Sequence, residues 1–177
     1  GFLFNEGVIQ SYDDVALVQR NLTGTTVDVF LRTGDFATPR RLVLTAGCGG
    51  GVSFQTSTDS LEPLQTDFRT TPANLLDRMH DLNAAARLYR QVRGIHTSVL
   101  ADNDSLLLLA EDVGRHNTID KLMGMALRAG ISTRDRVLVT SGRISSEMLL
   151  KARQMGVPLV ASRTAPTSIS VQMATAW

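Results

Sequence analysis

Cys48 is the single cysteine of this 177-residue chain, and it stands in the run Gly47-Cys48-Gly49-Gly50-Gly51. A structural cysteine usually sits inside an apolar strand or helix, where it acts as a small hydrophobe. Here its neighbours have no side chains, so another molecule can approach the sulfur and the backbone can move. That setting suits thiolate chemistry, because the function of a cysteine follows its exposure and ionisation. A tight turn with an incidental cysteine is the structural alternative. One cysteine excludes an intrachain disulfide, and the expected compartment is a reducing cytoplasm.

Three further segments share one form, a polar turn between a β-type run and a helix start. They are Glu111-Asp112-Val113-Gly114-Arg115-His116-Asn117, followed by Asp120-Lys121; Thr140-Ser141-Gly142-Arg143-Ile144-Ser145-Ser146-Glu147; and Ala161-Ser162-Arg163-Thr164-Ala165-Pro166-Thr167. α/β sheets bind ligands at the carboxyl ends of their strands, and a helix N-terminus offers free N–H groups to an anion. The candidate binding residues are therefore Arg115, His116, Asn117 and Lys121 on the first turn. Arg143, Ser145 and Ser146 come from the second, Arg163 and Thr164 from the third. Ordinary capping accounts for Asn117 and Asp120 on a helix starting near 117. It does not account for Arg115 and His116 beside Glu111 and Asp112. The second turn has no Walker pattern and could be simply a Ser-capped helix start. Three such turns converging imply one shared cleft.

The elements that must hold these residues follow from periodicity. Residues 15–19, 25–32 and 41–45 are alternating or β-branched and predict an antiparallel meander. Residues 56–71 are polar and loop-like. Thr71-Pro72 opens a helix whose apolar stripe runs to Val92, with Gly94 as its stop. Strands at 96–101 and 106–111 flank the turn Asp102-Asn103-Asp104-Ser105 and predict a hairpin. A helix over 117–129 ends at Gly130. A strand at 136–140, a helix over 145–155, a strand at 159–162 and a helix over 167–176 complete the chain. The order predicts an α/β (α+β) fold, a mixed sheet with helices on its faces. Its expected division is a β-rich part over 1–60, ending in the Cys48 loop, and an α/β core over 61–177. Gly1-Phe2-Leu3-Phe4 reads as the end of an apolar helix and Trp177 stops in mid-pattern, so both ends are expected to be truncated.

Composition removes several classes. With 43% hydrophobic residues and a net charge of +1, the chain is neither disordered nor built for nucleic acid. Its longest apolar run is Leu106-Leu107-Leu108-Leu109-Ala110, far short of the roughly 20 residues of a membrane span. The three histidines, His80, His96 and His116, are scattered without metal-ligand spacing, so no metal site is expected. Sixteen of the 18 basic residues are Arg, suited to bidentate recognition of phosphate.

The three turn segments, together with Gly94-Ile95-His96 and Phe4-Asn5-Glu6-Gly7, resemble the signature blocks of the FdhD family, the formate dehydrogenase accessory sulfurtransferases. The resemblance covers nearly the whole chain. It implies a cytidine-deaminase-like α/β core with an added antiparallel β-rich N-terminal part, a cytoplasmic location and a homodimer. It implies a sulfur carrier that receives persulfide sulfur from a cysteine desulfurase. The sulfur passes to the bis-molybdopterin guanine dinucleotide cofactor of formate dehydrogenase. The family cysteine lies in a Cys-x-x-Cys stretch. Cys48 matches its first position and Gly51 stands at its second, which leaves a one-cysteine carrier and no resolving thiol.

Two other classes compete. The chain could be a chaperone that holds the cofactor or the apo-dehydrogenase without moving sulfur, and Gly51 keeps that reading alive. A zinc deaminase would need a Cys-x-x-Cys pair, a further His or Cys ligand and a nearby Glu, which one cysteine cannot supply.

Overall fold

A computed structural model describes residues 1–32, 43–44, 52–53 and 62–177. A short helix, α1 (Phe2–Asn5), and a 3-10 turn at Tyr12–Asp14 lead into β1 (Val15–Arg20) and β2 (Val27–Leu31), an antiparallel ribbon. The segment β3 (Val43–Leu44) pairs with β4 (Val52–Ser53) in a second two-stranded sheet. Among the described residues the expected three-stranded meander is seen as two ribbons, the part of the third strand at Val43–Leu44 pairing with β4 and not with β2. Cys48 falls in sequence between β3 and β4, outside the described residues.

The rest of the chain builds the sheet that carries the three turns. It runs α2 (Pro72–Ala85), α3 (Arg87–Val92), β5 (His96–Ala101), β6 (Leu106–Asp112), α4 (Arg115–Ala129), β7 (Val137–Thr140), α5 (Ser146–Gln154), β8 (Leu159–Ser162) and α6 (Ser168–Ala176). The strand order is β6-β5-β7-β8, with β5 antiparallel to both β6 and β7, and β8 parallel to β7. The β5–β6 turn is closed by Asp102 Oδ1, which accepts from the amides of Asp104 and Ser105 at 3.0 and 2.8 Å. The mixed α/β class expected from the element order is the one observed.

Two faces of this sheet are covered. Alternation along β5 and β7 sends Leu100 and Leu138 to one side, where they pack with Ile119 and Leu122 of α4 and Met148 and Ala152 of α5. Val99, Val137 and Val139 go to the other side, against Leu82 of α2 with Leu75 and Met79 beside it. The buried members of both groups are at most 1% exposed, and each large apolar side chain so buried contributes about 1.5–3 kcal/mol. At the N-terminus α1 packs on α4 and α5. Asn5 donates to Asp120 at 2.7 Å, and Lys151 sits 2.5 Å from the other oxygen of the same carboxylate.

The helix expected over 72–92 is broken at Ala86, whose ψ of 77° leaves the helical region. Nothing in the local sequence forces the break. Its cause is Glu111 on β6, whose two carboxylate oxygens accept from the amides of Leu88 and Tyr89, both at 2.9 Å. They serve as a remote N-cap for α3. Arg90 reaches back to the carbonyls of Asn83 and Ala84 at the end of α2. Thr71 and Pro72 open α2 as expected, Thr71 Oγ1 accepting from the Asn74 amide.

Candidate functional site

β6 and β7 both run opposite to β5, and β8 runs with β7. The carboxyl ends of β6, β7 and β8 therefore share one sheet edge with the start of β5. All three polar turns lie there, as does His96, the first residue of β5.

The turns are locked to one another. Ser141 exchanges two bonds with Thr97: its Oγ accepts from the Thr97 amide at 3.0 Å, and its amide donates to the Thr97 carbonyl at 2.9 Å. Ser162 Oγ donates to the Gly142 carbonyl at 2.8 Å. An isolated bridge joins Ile144 to Pro166, and the Thr167 amide donates to the Ile144 carbonyl at 3.0 Å. Beneath them Ser98, Thr118 and Thr140 form a buried hydroxyl chain, with contacts of 2.6 and 2.8 Å. Thr118 Oγ1 donates onward to the Arg115 carbonyl, and the Gly142 amide donates to Thr140 Oγ1. Fully paired polar networks of this kind hold their backbone segments in one geometry.

α4 begins at Arg115, two residues before the expected start, with Gly114 as its N-cap. Asn117 is consequently not the cap. It donates to Asp112 Oδ1 at 2.9 Å, and Lys121 sits 2.5 Å from the other oxygen of Asp112 while donating to the Glu111 carbonyl. Burial works against the Asp112 carboxylate, but Lys121, the Gly114 amide and Asn117 outweigh it and hold its pKa below the usual range. Asn117 and Lys121 thus form a cluster with Asp112 on the outer side of α4. Lys121 also lines a largely apolar hollow of about 1090 Å³ beneath the β1–β2 ribbon, together with Phe2, Ile9, Val18 and Val29. A further hollow, of about 420 Å³, lies between α5, α6 and Trp177, and one of about 560 Å³ is lined by Gln65, Thr66, Asp67, Phe68 and Asp135.

Arg115 and His116 turn the other way and are buried, each 8% exposed. Ser145 caps α5, accepting from the Met148 amide, and its Oγ is 3.4 Å from His116 Nε2. Ser146 is the first residue of α5. Arg143 is exposed. Arg163 lies with its guanidinium 5.7 Å from the centre of the Tyr89 ring and donates to Asn83 Oδ1 at 3.2 Å. Thr164 is drawn to Ser162, its amide donating to Ser162 Oγ.

Both imidazoles at this edge are held neutral. Burial, then the neighbouring Arg115, pushes His116 down to about 4. Burial, then Arg115 and Arg163, lowers His96. The field here is positive and partly desolvated, the condition that favours an anionic ligand.

His96, Asn83 and Tyr89 belong to this edge and lie outside the three turn motifs. The sequence signal for His96 is its place at the head of a strand whose antiparallel partners end in the polar turns. Asn83 and Tyr89 carry no signal, because they meet Arg163 only through the break between α2 and α3. Among the described residues no group of three His, Cys, Asp or Glu is placed to hold a metal ion, and no helix is long and apolar enough to cross a membrane.

The fold and this edge define a mixed α/β protein with a cationic strand-end site. The chain belongs to the FdhD/NarQ family, which it matches over residues 1–177. It is 37% identical to a sulfur carrier protein FdhD of Bacillus subtilis strain 168, over 98% of this chain and 68% of that protein. It is 32% identical to a protein of the same name from Staphylococcus aureus strain MRSA252, with the same coverage of each chain. Its fold matches a crystal structure described as a putative formate dehydrogenase accessory protein from Desulfotalea psychrophila. The TM-score is 0.73 at 24% identity, covering 98% of this chain and 67% of that one.

Proposed function

We propose that this protein is a sulfurtransferase that carries persulfide sulfur on Cys48 in the maturation of formate dehydrogenase. The observation that carries the reading is its only cysteine, set in a glycine run, in a family whose relatives are named sulfur carriers. A cysteine desulfurase supplies the sulfur. The Cys48 thiolate attacks the outer sulfur of the desulfurase persulfide, the S–S bond there breaks, and the desulfurase thiolate leaves. Cys48 then bears the new persulfide, with no net oxidation or reduction. No second thiol is needed for this step, which fits Gly51 at the second motif position.

The client, and so the substrate of the second transfer, is the bis-molybdopterin guanine dinucleotide cofactor of formate dehydrogenase. The strand-end edge supports this reading. Arg115, His116, Arg143, Ser145, Ser146, Arg163 and Thr164 lie on turns suited to its phosphates, while Asn117 and Lys121 act through Asp112. A cytidine-deaminase-like core over 61–177, a β-rich part over 1–60, a homodimer and a cytoplasmic location complete the proposal.

Complementation tests it. Cys48→Ala, expressed in a strain lacking the endogenous protein, should leave formate dehydrogenase inactive while the variant accumulates folded. Full activity with that variant would instead establish a chaperone that moves no sulfur, the reading that Gly51 keeps open.

A further inference from the structure

The apolar stripe that begins in α2 runs on in sequence to Val92, yet beyond the break at Ala86 it leaves the core. Leu82 and Ala86 are buried, while Leu88 is 50% and Val92 64% exposed. The two lie one helical turn apart on α3 and so share a face. Both ends of α3 hold it in this turned-out position. At its head Glu111 accepts the amides of Leu88 and Tyr89. At its tail Arg93 has φ 57° and ψ −176°, a conformation that is almost the preserve of glycine. Strain of this kind persists only where the surroundings fix it, and it gathers at working surfaces. Here it leaves the Arg93 guanidinium 5.5 Å from the centre of the Tyr89 ring.

The charge around this face has one sign. Arg87, Arg90 and Arg93 recur every third residue, spanning about 9 Å, and all three are exposed. Arg163 adds a fourth guanidinium beside Tyr89. No acidic residue occurs in sequence between Asp81 and Asp102. Among the described residues none of the four arginines forms a salt bridge. The carboxylate that meets α3, that of Glu111, is taken up by the two amides and Thr97.

We propose that the outer face of α3, with Leu88 and Val92 set among Arg87, Arg90 and Arg93, is a docking surface for an acidic segment of the client enzyme that carries an aliphatic or aromatic anchor. This rests on the reading that the client is formate dehydrogenase. Exposed apolar side chains rimmed by charge of one sign fit a protein partner of the opposite sign. Two apolar side chains on a six-residue helix bury too little area to hold a bilayer. Tyr89 joins α3 to Arg163 on the third polar turn, so a protein seated here lies beside the strand-end edge and can receive what is held there.

The test is calorimetric titration of the whole chain with cofactor-free formate dehydrogenase from the same organism. The unmodified chain should bind, and less tightly as ionic strength rises. Leu88→Ser with Val92→Ser, and separately Arg87→Gln with Arg93→Gly, should each weaken binding by at least about tenfold. Circular dichroism checks each fold. Arg93→Gly alone removes a charge and relieves the positive φ, so it should weaken docking while the melting temperature rises. A merely structural role would not separate the two readouts. No binding by the unmodified chain, equal binding by the folded variants, or indifference to salt overturns the proposal. Capture by phosphatidylserine vesicles without binding of the dehydrogenase would replace it with a lipid surface. Self-association abolished by the Leu88 and Val92 changes, again without such binding, would replace it with a second copy of the chain. Sulfur loading of Cys48 is read in parallel. Docking that the variants weaken, with no persulfide on Cys48, would overturn the sulfur-carrier reading and leave the docking surface standing. A persulfide together with docking indifferent to the α3 changes would do the reverse.

Discussion

Glu111→Ala is the sharpest probe of how this fold assembles its strand-end site. The carboxylate accepts the amides of Leu88 and Tyr89 at 2.9 Å each, and Thr97 Oγ1 at 3.3 Å. A neutral cap lost to alanine costs about 0.5–2 kcal/mol, and bonds to charged groups about 1.5–3 kcal/mol. Partial solvation lowers the upper figure, so about 2 kcal/mol is expected for the pair. For a chain of 177 residues that corresponds to a fall in Tm of roughly 4–8 °C. The loss should be local as well as global. Hydrogen exchange at Leu88 and Tyr89 should accelerate, because α3 then has no cap. Tyr89 should lose its fixed position under Arg163, which now lies 5.7 Å from the ring centre. Glu111→Gln keeps one acceptor but turns an NH2 group toward the second amide, so it should recover about half of the stability at most. A Glu111→Ala variant within about 0.5 kcal/mol of the unmodified chain, with unchanged exchange at both amides, would refute the remote-cap account of the Ala86 break.

Other expectations can be checked on the same preparations. Lys151→Met removes the cation paired with Asp120, both side chains being little exposed at 11% and 12%. It should destabilise the protein by about 3 kcal/mol in urea denaturation, since a buried carboxylate loses its cation. His116 has a folded-state pKa of about 4, below the unfolded value of about 6.5, so the unfolded chain binds more protons between these two values. Stability from this group is therefore complete above about pH 6.5 and lost as the pH falls toward 4. The loss is on the order of 2 kcal/mol once solvent screening is allowed for. Subtracting the stability-versus-pH curve of His116→Gln from that of the unmodified chain should isolate a slope in this window, and a flat difference would show that His116 is not held neutral.

How much of this is legible in the sequence depends on where each cause lies. The β5–β6 hairpin is readable because Asp102 builds its own turn. The end of α4 is readable because Gly130 adopts the left-handed conformation, φ 65°. The strand at Leu159–Ser162 falls within the expected bounds. Features caused by distant partners are not readable. The break at Ala86 is imposed by a carboxylate on β6, and an unbroken apolar stripe gives no sign of it. The pairing of β3 with β4 is a choice between partners that β-propensity alone cannot make. α4 starts early because Gly114 caps it with backbone alone, so the polar Asn117 sets the expected boundary too late. The turns themselves are identifiable as strand-to-helix junctions, but their grouping is not. Asp112 collects Asn117 and Lys121, while Arg115 turns inward toward His96, a separation that needs the helix in place. Arg163 is held by Asn83 and Tyr89, residues that look like ordinary helix surface in one dimension.

The central claim is that Cys48 carries sulfur. Its most direct test is intact-mass and peptide mass spectrometry of the protein after incubation with a cysteine desulfurase and cysteine, without added reductant. The account predicts a gain equal to one sulfur atom, mapped to the peptide containing Cys48 and removed by a thiol reductant. An unchanged mass under conditions in which the desulfurase itself is persulfidated would contradict it.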